Sequence, residues 1–252
     1  MELGIDKQLR QEKRNSTKDW EHILLDLIEY RWLTKLLPIF RKNEDIFNHL
    51  SERKKKIKIV PEQKDMFNAF KYTPFDNVRV CILGMAPYFQ LINGKPEAHG
   101  LAFSYRKTEE IDFHVPKSLA VIRNEIETDV YDGEVIGFDP NLERWAKQGV
   151  FLLNTALTTE VGDKEAHMKL WEPFTAEVLK ILNEQSAGII FCLWGSYAKK
   201  YKHMINESHY ILEADHPAVE LYPGSAGKFY GCRHFSQINE ILMKNNKEKI
   251  EW

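Results

Sequence analysis

The sequence predicts an α/β fold in three layers, with a central sheet of four mostly parallel strands between helices. Short apolar runs rich in β-branched residues recur after residue 78, and longer amphipathic segments separate them. This alternation implies parallel strands joined by right-handed crossovers, with helices on both faces of the sheet. Because the 252 residues contain no Gly/Ser-rich linker, we expect one domain over residues 1–252, with residues 1–17 as a flexible polar tail.

The first element predicted is an amphipathic helix, with Ser16 and Asp19 as its capping pair and Pro38 as its end. A second amphipathic stretch follows and ends in the basic run 53–58, which is typical of a solvated face. The four strands are predicted at residues 78–83, 150–153, 188–193 and 210–214. The remaining helices are predicted at residues 116–128, 142–148, 171–183, 197–205 and 234–245.

Composition excludes several classes of protein. A formal charge of −2 means that any nucleic-acid contact must use local positive loops rather than the whole surface. Cys81, Cys192 and Cys232 are widely spaced, which argues against a disulfide framework and a zinc cluster and favours a reducing compartment. Residues 1–17 lack the apolar core of a signal peptide, and no stretch is long and apolar enough to cross a membrane. We therefore expect a cytoplasmic or nuclear protein.

Polar or turn-forming residues follow each predicted strand directly. Parallel strands end at the same edge of a sheet, and ligands of open α/β sheets bind outside those carboxyl ends. Any one such segment is typical of an ordinary loop, but four of them at the same edge of the sheet predict one binding crevice. The segments are residues 84–88, 154–155, 195–196 and 215–217.

Several longer motifs, in the correct order, resemble those of the family 1 uracil-DNA glycosylases. The resemblance runs from about Trp20 to Leu242. It is carried by TPFDNVRVCILG (73–84), AHGLAFS (98–104), WAKQGVFLLNT (145–155) and GCRHFS (231–236). It implies the glycosylase-like α/β/α fold and a protein that needs no metal or other cofactor.

The resemblance also implies a pocket for a uracil swung out of DNA. Phe103 would stack on the base, and Met85 would contact it. The amide of Asn154 would pair with uracil O4 and N3, which cytosine cannot match. Tyr88 would exclude the methyl group of thymine, and His216 would donate a hydrogen bond to O2 of the departing base. Each residue also has an ordinary structural interpretation, such as a core aromatic or a loop-capping amide.

Contacts to the DNA backbone are implied for a second group of residues. Hydroxyl and amide groups in loops suit phosphate oxygens, although serines in such places are often helix caps. An apolar side chain is needed to fill the gap that the flipped base leaves. The implied DNA-binding residues are Ser104, Ser118, Gly195, Ser196, Ala218 and Leu221.

The chain departs from the family pattern at two places. The family motif Gly-Gln-Asp-Pro-Tyr-His is here residues 84–89, Gly-Met-Ala-Pro-Tyr-Phe, so Ala86 replaces the aspartate that orients the attacking water. If no other group compensates, its loss should slow the reaction by about a hundred- to a thousand-fold, without abolishing it. After His216, Ala218 replaces a phosphate-binding serine, and Glu220 stands where an apolar wedge is expected.

Three functions are compatible with these residues. The first is a hydrolase that releases uracil from DNA and leaves an abasic site, with reduced activity. The second is a uracil-DNA-binding or scaffold protein that has lost turnover. The third is a decoy for proteins that inhibit glycosylases. The expected partners are uracil-containing DNA and, as alternatives, an inhibitor protein or replication and repair proteins, and we expect a monomer.

Overall fold

A computed structural model describes residues 19–106, 115–185, 188–222 and 227–252. The strands are β1 (Ile59–Val60), β2 (Val80–Gly84), β3 (Leu91–Ile92), β4 (Lys95–Pro96), β5 (Val150–Asn154), β6 (Thr159–Glu160), β7 (Ile190–Trp194) and β8 (Tyr210–Ala214). The α-helices are α1 (Asp19–Leu27), α2 (Tyr30–Lys42), α3 (Asp45–Lys54), α4 (Asn68–Tyr72), α5 (Lys117–Val130), α6 (Glu143–Lys147), α7 (Met168–Asn183), α8 (Ser196–Lys199) and α9 (His234–Lys244). Short 3₁₀ helices cover Gln63–Asp65, Phe75–Asn77, Lys202–Met204 and Pro217–Leu221.

The central sheet has four parallel strands, as the sequence predicted, and their order is β5-β2-β7-β8. Every residue of β2, β5 and β7 is buried, which explains their continuous apolar sequences. From β2 the chain passes to β5 on one side, then crosses to β7 on the other. This reversal opens a crevice at the carboxyl end of β2, beside Gly84.

Helices flank the sheet and complete a three-layer α/β/α arrangement. Helix α2 packs against α7, and α5 packs against α9. Trp32 of α2 stacks on Phe151 of β5 at 4.9 Å between ring centroids. In a second aromatic cluster, Trp252 lies 5.0 Å from both Trp145 and Phe235. One cluster of buried apolar residues extends from the N-terminal helices to the last residue.

Two small antiparallel pairs lie outside the central sheet. Strand β1 pairs with β6, and the β3–β4 hairpin forms the loop 90–97. Arg53 of the basic run donates two hydrogen bonds to the carboxylate of Glu160, at 2.6 and 2.7 Å. Arg53 therefore connects α3 to β6, so this residue of the basic run has a structural role.

The N-terminal helical region differs from the prediction. The break falls at Glu29, whose carboxylate accepts hydrogen bonds from the backbone N–H groups of Arg31 and Trp32 and so caps α2. Pro38, predicted to end the helix, lies inside α2, because packing of the neighbouring apolar side chains offsets its missing hydrogen bond. Ser16 and the side chain of Asp19 lie outside the described part of the chain, as does the tail 1–17.

The remaining helices agree with the prediction except at residues 197–205. This segment forms only the short helix α8 and a 3₁₀ turn, because the chain turns back toward β8. No helix within the described ranges is long and apolar enough to cross a membrane.

Candidate active site

A cavity of about 180 Å³ lies at the carboxyl ends of β2 and β5, in the crevice that the strand order creates. Seven of the predicted site residues line it. These are Met85, Ala86, Tyr88, Phe103, Ser118, Asn154 and His216. The other lining residues are Gly84, Pro87, Phe89, Leu101 and Lys164.

Asn154 is the last residue of β5 and lies directly opposite Gly84 of β2. Asn154 is only 5% exposed, and its side-chain amide has no hydrogen-bond partner among the described residues. A side chain at position 84 would not fit, because a Cβ atom there would lie 2.4 Å from Asn154 Oδ1. The sheet register therefore holds a nearly buried amide whose hydrogen-bonding groups face the cavity.

Backbone contacts hold the segment that carries Ala86. The carbonyl of Met85 accepts hydrogen bonds from the N–H of Ala156, at 3.0 Å, and from the hydroxyl of Thr155, at 2.8 Å. Thr155 N–H also donates to the carbonyl of Gly84 at 2.8 Å. Ala86 lines the cavity, and no Asp or Glu belongs to the lining within the described chain.

The aromatic wall of the cavity consists of Phe103 and Tyr88. Phe103 has a left-handed backbone (φ +61°), which is uncommon for a non-glycine residue, and its ring lies 5.4 Å from Trp194. The Tyr88 hydroxyl donates to the Phe103 carbonyl at 3.1 Å. Burial, with the nearby charge of Glu97, raises the pKa of Tyr88, so this hydroxyl stays protonated and keeps the two residues together.

His216 follows β8 and faces Phe103, with 5.8 Å between ring centroids. Its Nδ1 accepts a hydrogen bond from the N–H of Ala218 at 3.1 Å, so a neutral ring carries its proton on Nε2. Burial, and then the charge of Lys164, lowers the pKa of His216 and favours that neutral form. A Cβ atom at position 195 would lie 2.8 Å from the His216 Cβ, so His216 can occupy this place only because residue 195 is a glycine.

Lys164 is a lining residue that the sequence analysis did not single out. It lies in the turn between β6 and α7, and it has no ion-pair partner in the described part of the chain. A signal was available, since Gly162 and Asp163 mark a turn just after the Asn154 strand. The cavity therefore combines a cation with a neutral histidine.

Other predicted residues lie away from the cavity lining. Ser104 is fully buried, with its hydroxyl 2.6 Å from His99 Nε2 and accepting from the N–H of Leu142 at 2.9 Å. Burial lowers the pKa of His99 to about 4, so it is a neutral core residue. Neither His99 nor the buried His167, 2.9 Å from the Thr158 hydroxyl, lines the cavity.

The remaining predicted DNA contacts lie around the crevice. Ser118 lines the cavity from the first turn of α5. Gly195 and Ser196 begin α8, with Ser196 exposed. Ala218 and Leu221 belong to the 3₁₀ helix after His216, and Leu221 is exposed. No group of three or more His, Cys, Asp or Glu side chains within the described ranges is arranged to hold a metal ion.

Comparison with known proteins agrees with this architecture. A profile of the uracil DNA glycosylase superfamily matches residues 70–243. The uracil-DNA glycosylase of Buchnera aphidicola subsp. Acyrthosiphon pisum (strain Tuc7) is 41% identical over 236 residues, covering 92% of this chain and 97% of that protein. The uracil-DNA glycosylase of Yersinia pestis (strain Pestoides F) is 46% identical over 209 residues, covering 80% and 84%.

A solved structure of a mimivirus UNG variant in complex with UGI has a TM-score of 0.79 and 29% identity, and the match covers 91% of this chain and 90% of that chain. The UNG from Nitratifractor salsuginis, at 17% identity and a TM-score of 0.62, shares the fold. The sequence motifs, the sheet order and these matches all point the same way. The chain belongs to the uracil DNA glycosylase superfamily.

Proposed function

We propose that this protein binds a uracil extruded from DNA and hydrolyses its N-glycosidic bond, which leaves an abasic site. One observation carries the proposal: one small cavity presents the amide of Asn154, which has no hydrogen-bond partner among the described residues, the ring of Phe103 and the neutral imidazole of His216. A base in a duplex must leave the stack to reach such a cavity.

Asn154 would distinguish uracil from cytosine. Its side chain offers one carbonyl acceptor and one NH₂ donor, which complement N3–H and O4 of uracil. Cytosine reverses both groups, so its binding would leave buried polar atoms without partners. Tyr88 would exclude thymine by contact with C5, and its hydrogen bond to Phe103 supports a rigid wall there. Met85 contributes contact area at the base.

His216 would stabilise the leaving group. As the bond from C1′ to N1 breaks, its electron pair moves to the base and charge develops on O2. The Nε2–H of a neutral imidazole can donate to that oxygen, a contact typically worth about 3 kcal/mol. Lys164 would add a positive charge near the same anion. The Ala218 N–H that holds Nδ1 fixes the tautomer in advance of the reaction.

Ala86 would limit the rate of the water attack. The resembling motif has an aspartate there, and no Asp or Glu within the described chain lines the cavity to replace it. Water must then add to C1′ without a carboxylate to orient it or to favour the positively charged sugar. We propose an enzyme slower than its relatives by about a hundred- to a thousand-fold.

The DNA strand would cross the rim of the cavity. Ser118, the Gly195–Ser196 turn and the Ala218 backbone are suited to phosphate oxygens, and Leu221 is suited to the vacated base stack. Ser104 would act indirectly, because its hydroxyl is occupied by His99 and Leu142. We further propose that the chain acts as a monomer with a single domain, and the continuous core supports the single domain.

A single-turnover assay tests the proposal. Excess protein is mixed with a labelled uracil-containing oligonucleotide, and abasic sites are revealed by alkali. We expect the unmodified protein to cleave and Asn154→Ala, purified in the same way, to be inactive, which also controls for contaminating glycosylases. Ala86→Asp should accelerate cleavage.

The second candidate is a protein that binds uracil-containing DNA without turnover. The absence of a carboxylate from the described lining of the cavity favours it. It predicts stable binding of the uracil oligonucleotide, no cleavage by the unmodified protein, and cleavage by Ala86→Asp. That combination of results would replace the enzyme proposal. An inhibitor protein is a further proposed partner, supported by the mimivirus structure with UGI.

A further inference from the structure

The loop after His216 contains an acidic residue whose side chain points inward. One oxygen, Oε1 of Glu220, accepts hydrogen bonds from the backbone N–H groups of Phe229, at 2.7 Å, and Tyr230, at 3.0 Å. Gly227 leaves room for this carboxylate, since a Cβ atom there would lie 3.0 Å from it. Glu220 therefore bridges nine residues of chain and joins the two sides of the loop.

The far side of this bridge is firmly anchored. Phe229 is fully buried, 5.1 Å from the Trp194 ring. Just beyond it, buried Glu125 of α5 accepts from the N–H groups of Gly231, at 2.8 Å, and Arg233, at 2.9 Å. The 3₁₀ helix is thus tied to a segment that is held by the body of the protein.

The residues next to Glu220 point the other way. Leu221 is 41% exposed and Tyr222 is 68% exposed, so two large apolar side chains that follow each other in sequence are both accessible. They lie at the end of the 3₁₀ helix that begins beside His216 and hence beside the cavity. An apolar pair at this place can enter the base stack of a duplex and fill the gap that a flipped base leaves.

We infer that Glu220 is a positioning residue that holds the side chains of Leu221 and Tyr222 outward. These two side chains form an apolar edge, which contacts the base stack of duplex DNA. The inference rests on the proposed function. One oxygen of the carboxylate is held by the N–H groups of Phe229 and Tyr230, so the side chain is directed toward those residues. Without the bridge, Leu221 and Tyr222 sample many conformations, and binding a duplex must order them again. A single strand has no stack to enter and does not require the edge.

The test compares KM and kcat on matched single-stranded and double-stranded uracil oligonucleotides. Glu220→Ala removes both hydrogen bonds of the bridge, so it should raise KM for the duplex by about tenfold and leave the single-strand values within about twofold. Glu220→Gln keeps an acceptor oxygen and should restore most of the duplex KM. Tyr222→Ala should reproduce the duplex defect, and the double variant should be no worse than Glu220→Ala alone.

Glu207→Ala, at an exposed turn glutamate, is the matched control for loss of surface charge. Equal losses on both substrates, or Glu220→Gln as impaired as Glu220→Ala, would overturn the inference. If the unmodified protein cleaves neither substrate, the proposed function fails separately. The inference is then decided by fluorescence anisotropy with the same duplex, in which Glu220→Ala should still weaken binding.

Discussion

Replacing Gly84 by alanine tests whether the pairing of β2 with β5 positions the side-chain amide of Asn154, which is proposed to bind the base. The added Cβ would lie 2.4 Å from Asn154 Oδ1 and 2.8 Å from the Ala102 Cβ, whereas ordinary contact begins near 3.4 Å. The amide oxygen must therefore move by about 1 Å (3.4 minus 2.4) or rotate away. A displacement of that size in a catalytic site costs about a hundredfold in rate. Overpacking should also lower the free energy of unfolding by about 1–3 kcal/mol.

The single-turnover rate of uracil release measures the first effect, and thermal unfolding by circular dichroism measures the second. Gly137→Ala is a suitable control, because a Cβ atom at position 137 meets nothing within 4 Å and its backbone needs no left-handed conformation. The control should match the unmodified protein in both assays. If folded Gly84→Ala retains a rate within about threefold of the unmodified protein, the amide does not read the base from this position.

Three further predictions follow from the same contacts. Lys164→Met removes one cause of the lowered pKa of His216, so the acidic limb of the pH–rate profile should move to higher pH. The reason is that only neutral His216 keeps Nδ1 free to accept from the Ala218 N–H. An unmoved limb would show that the charge of Lys164 does not affect the pKa of His216. Tyr88→Ala opens the cavity at the expected position of C5, so thymine release from an oligonucleotide should become measurable, and normal uracil release without thymine release would refute the steric role. Burial lowers the pKa values of His99 and His234 to about 4, so stability is complete above about pH 6.5 and is lost as pH falls toward 4, by about 3 kcal/mol per histidine at most. Urea unfolding at pH 7 and pH 5 checks this difference, and His99→Gln should reduce it.

The arrangement of strands and their ends was readable from the sequence. Strands buried on both faces must be apolar along their whole length, so 150–153 and 188–193 were located within two residues of β5 and β7. Parallel strands bring their carboxyl ends together, so Asn154 and His216 were expected at one crevice, and the structure brings them to one cavity. These conclusions depend on periodicity and strand direction, which are local properties of the chain.

Tertiary contacts decided what local patterns could not. Pro38 lies inside α2 because the surrounding apolar side chains pack, and α2 begins after Glu29 because that carboxylate reaches two N–H groups of its first turn. Ser104 resembled a phosphate contact, yet its hydroxyl is buried against His99. The direction of each of these side chains follows from partners that packing brings near.

Glu220 and Lys164 are two residues near the cavity whose side-chain positions the sequence did not predict. As sequence, Glu220 looked like a charge in place of an apolar wedge, whereas its carboxylate turns toward N–H groups nine and ten residues later. Lys164 carried no motif of its own and reaches the cavity only because the turn after β6 folds over it. The sequence by itself determined the sheet, the crevice and most of its lining, because these follow from hydrophobic pattern and motif order. Only the tertiary structure decided which charged groups face that crevice, because the direction of a polar side chain is set by the hydrogen-bond partners it finds across the fold.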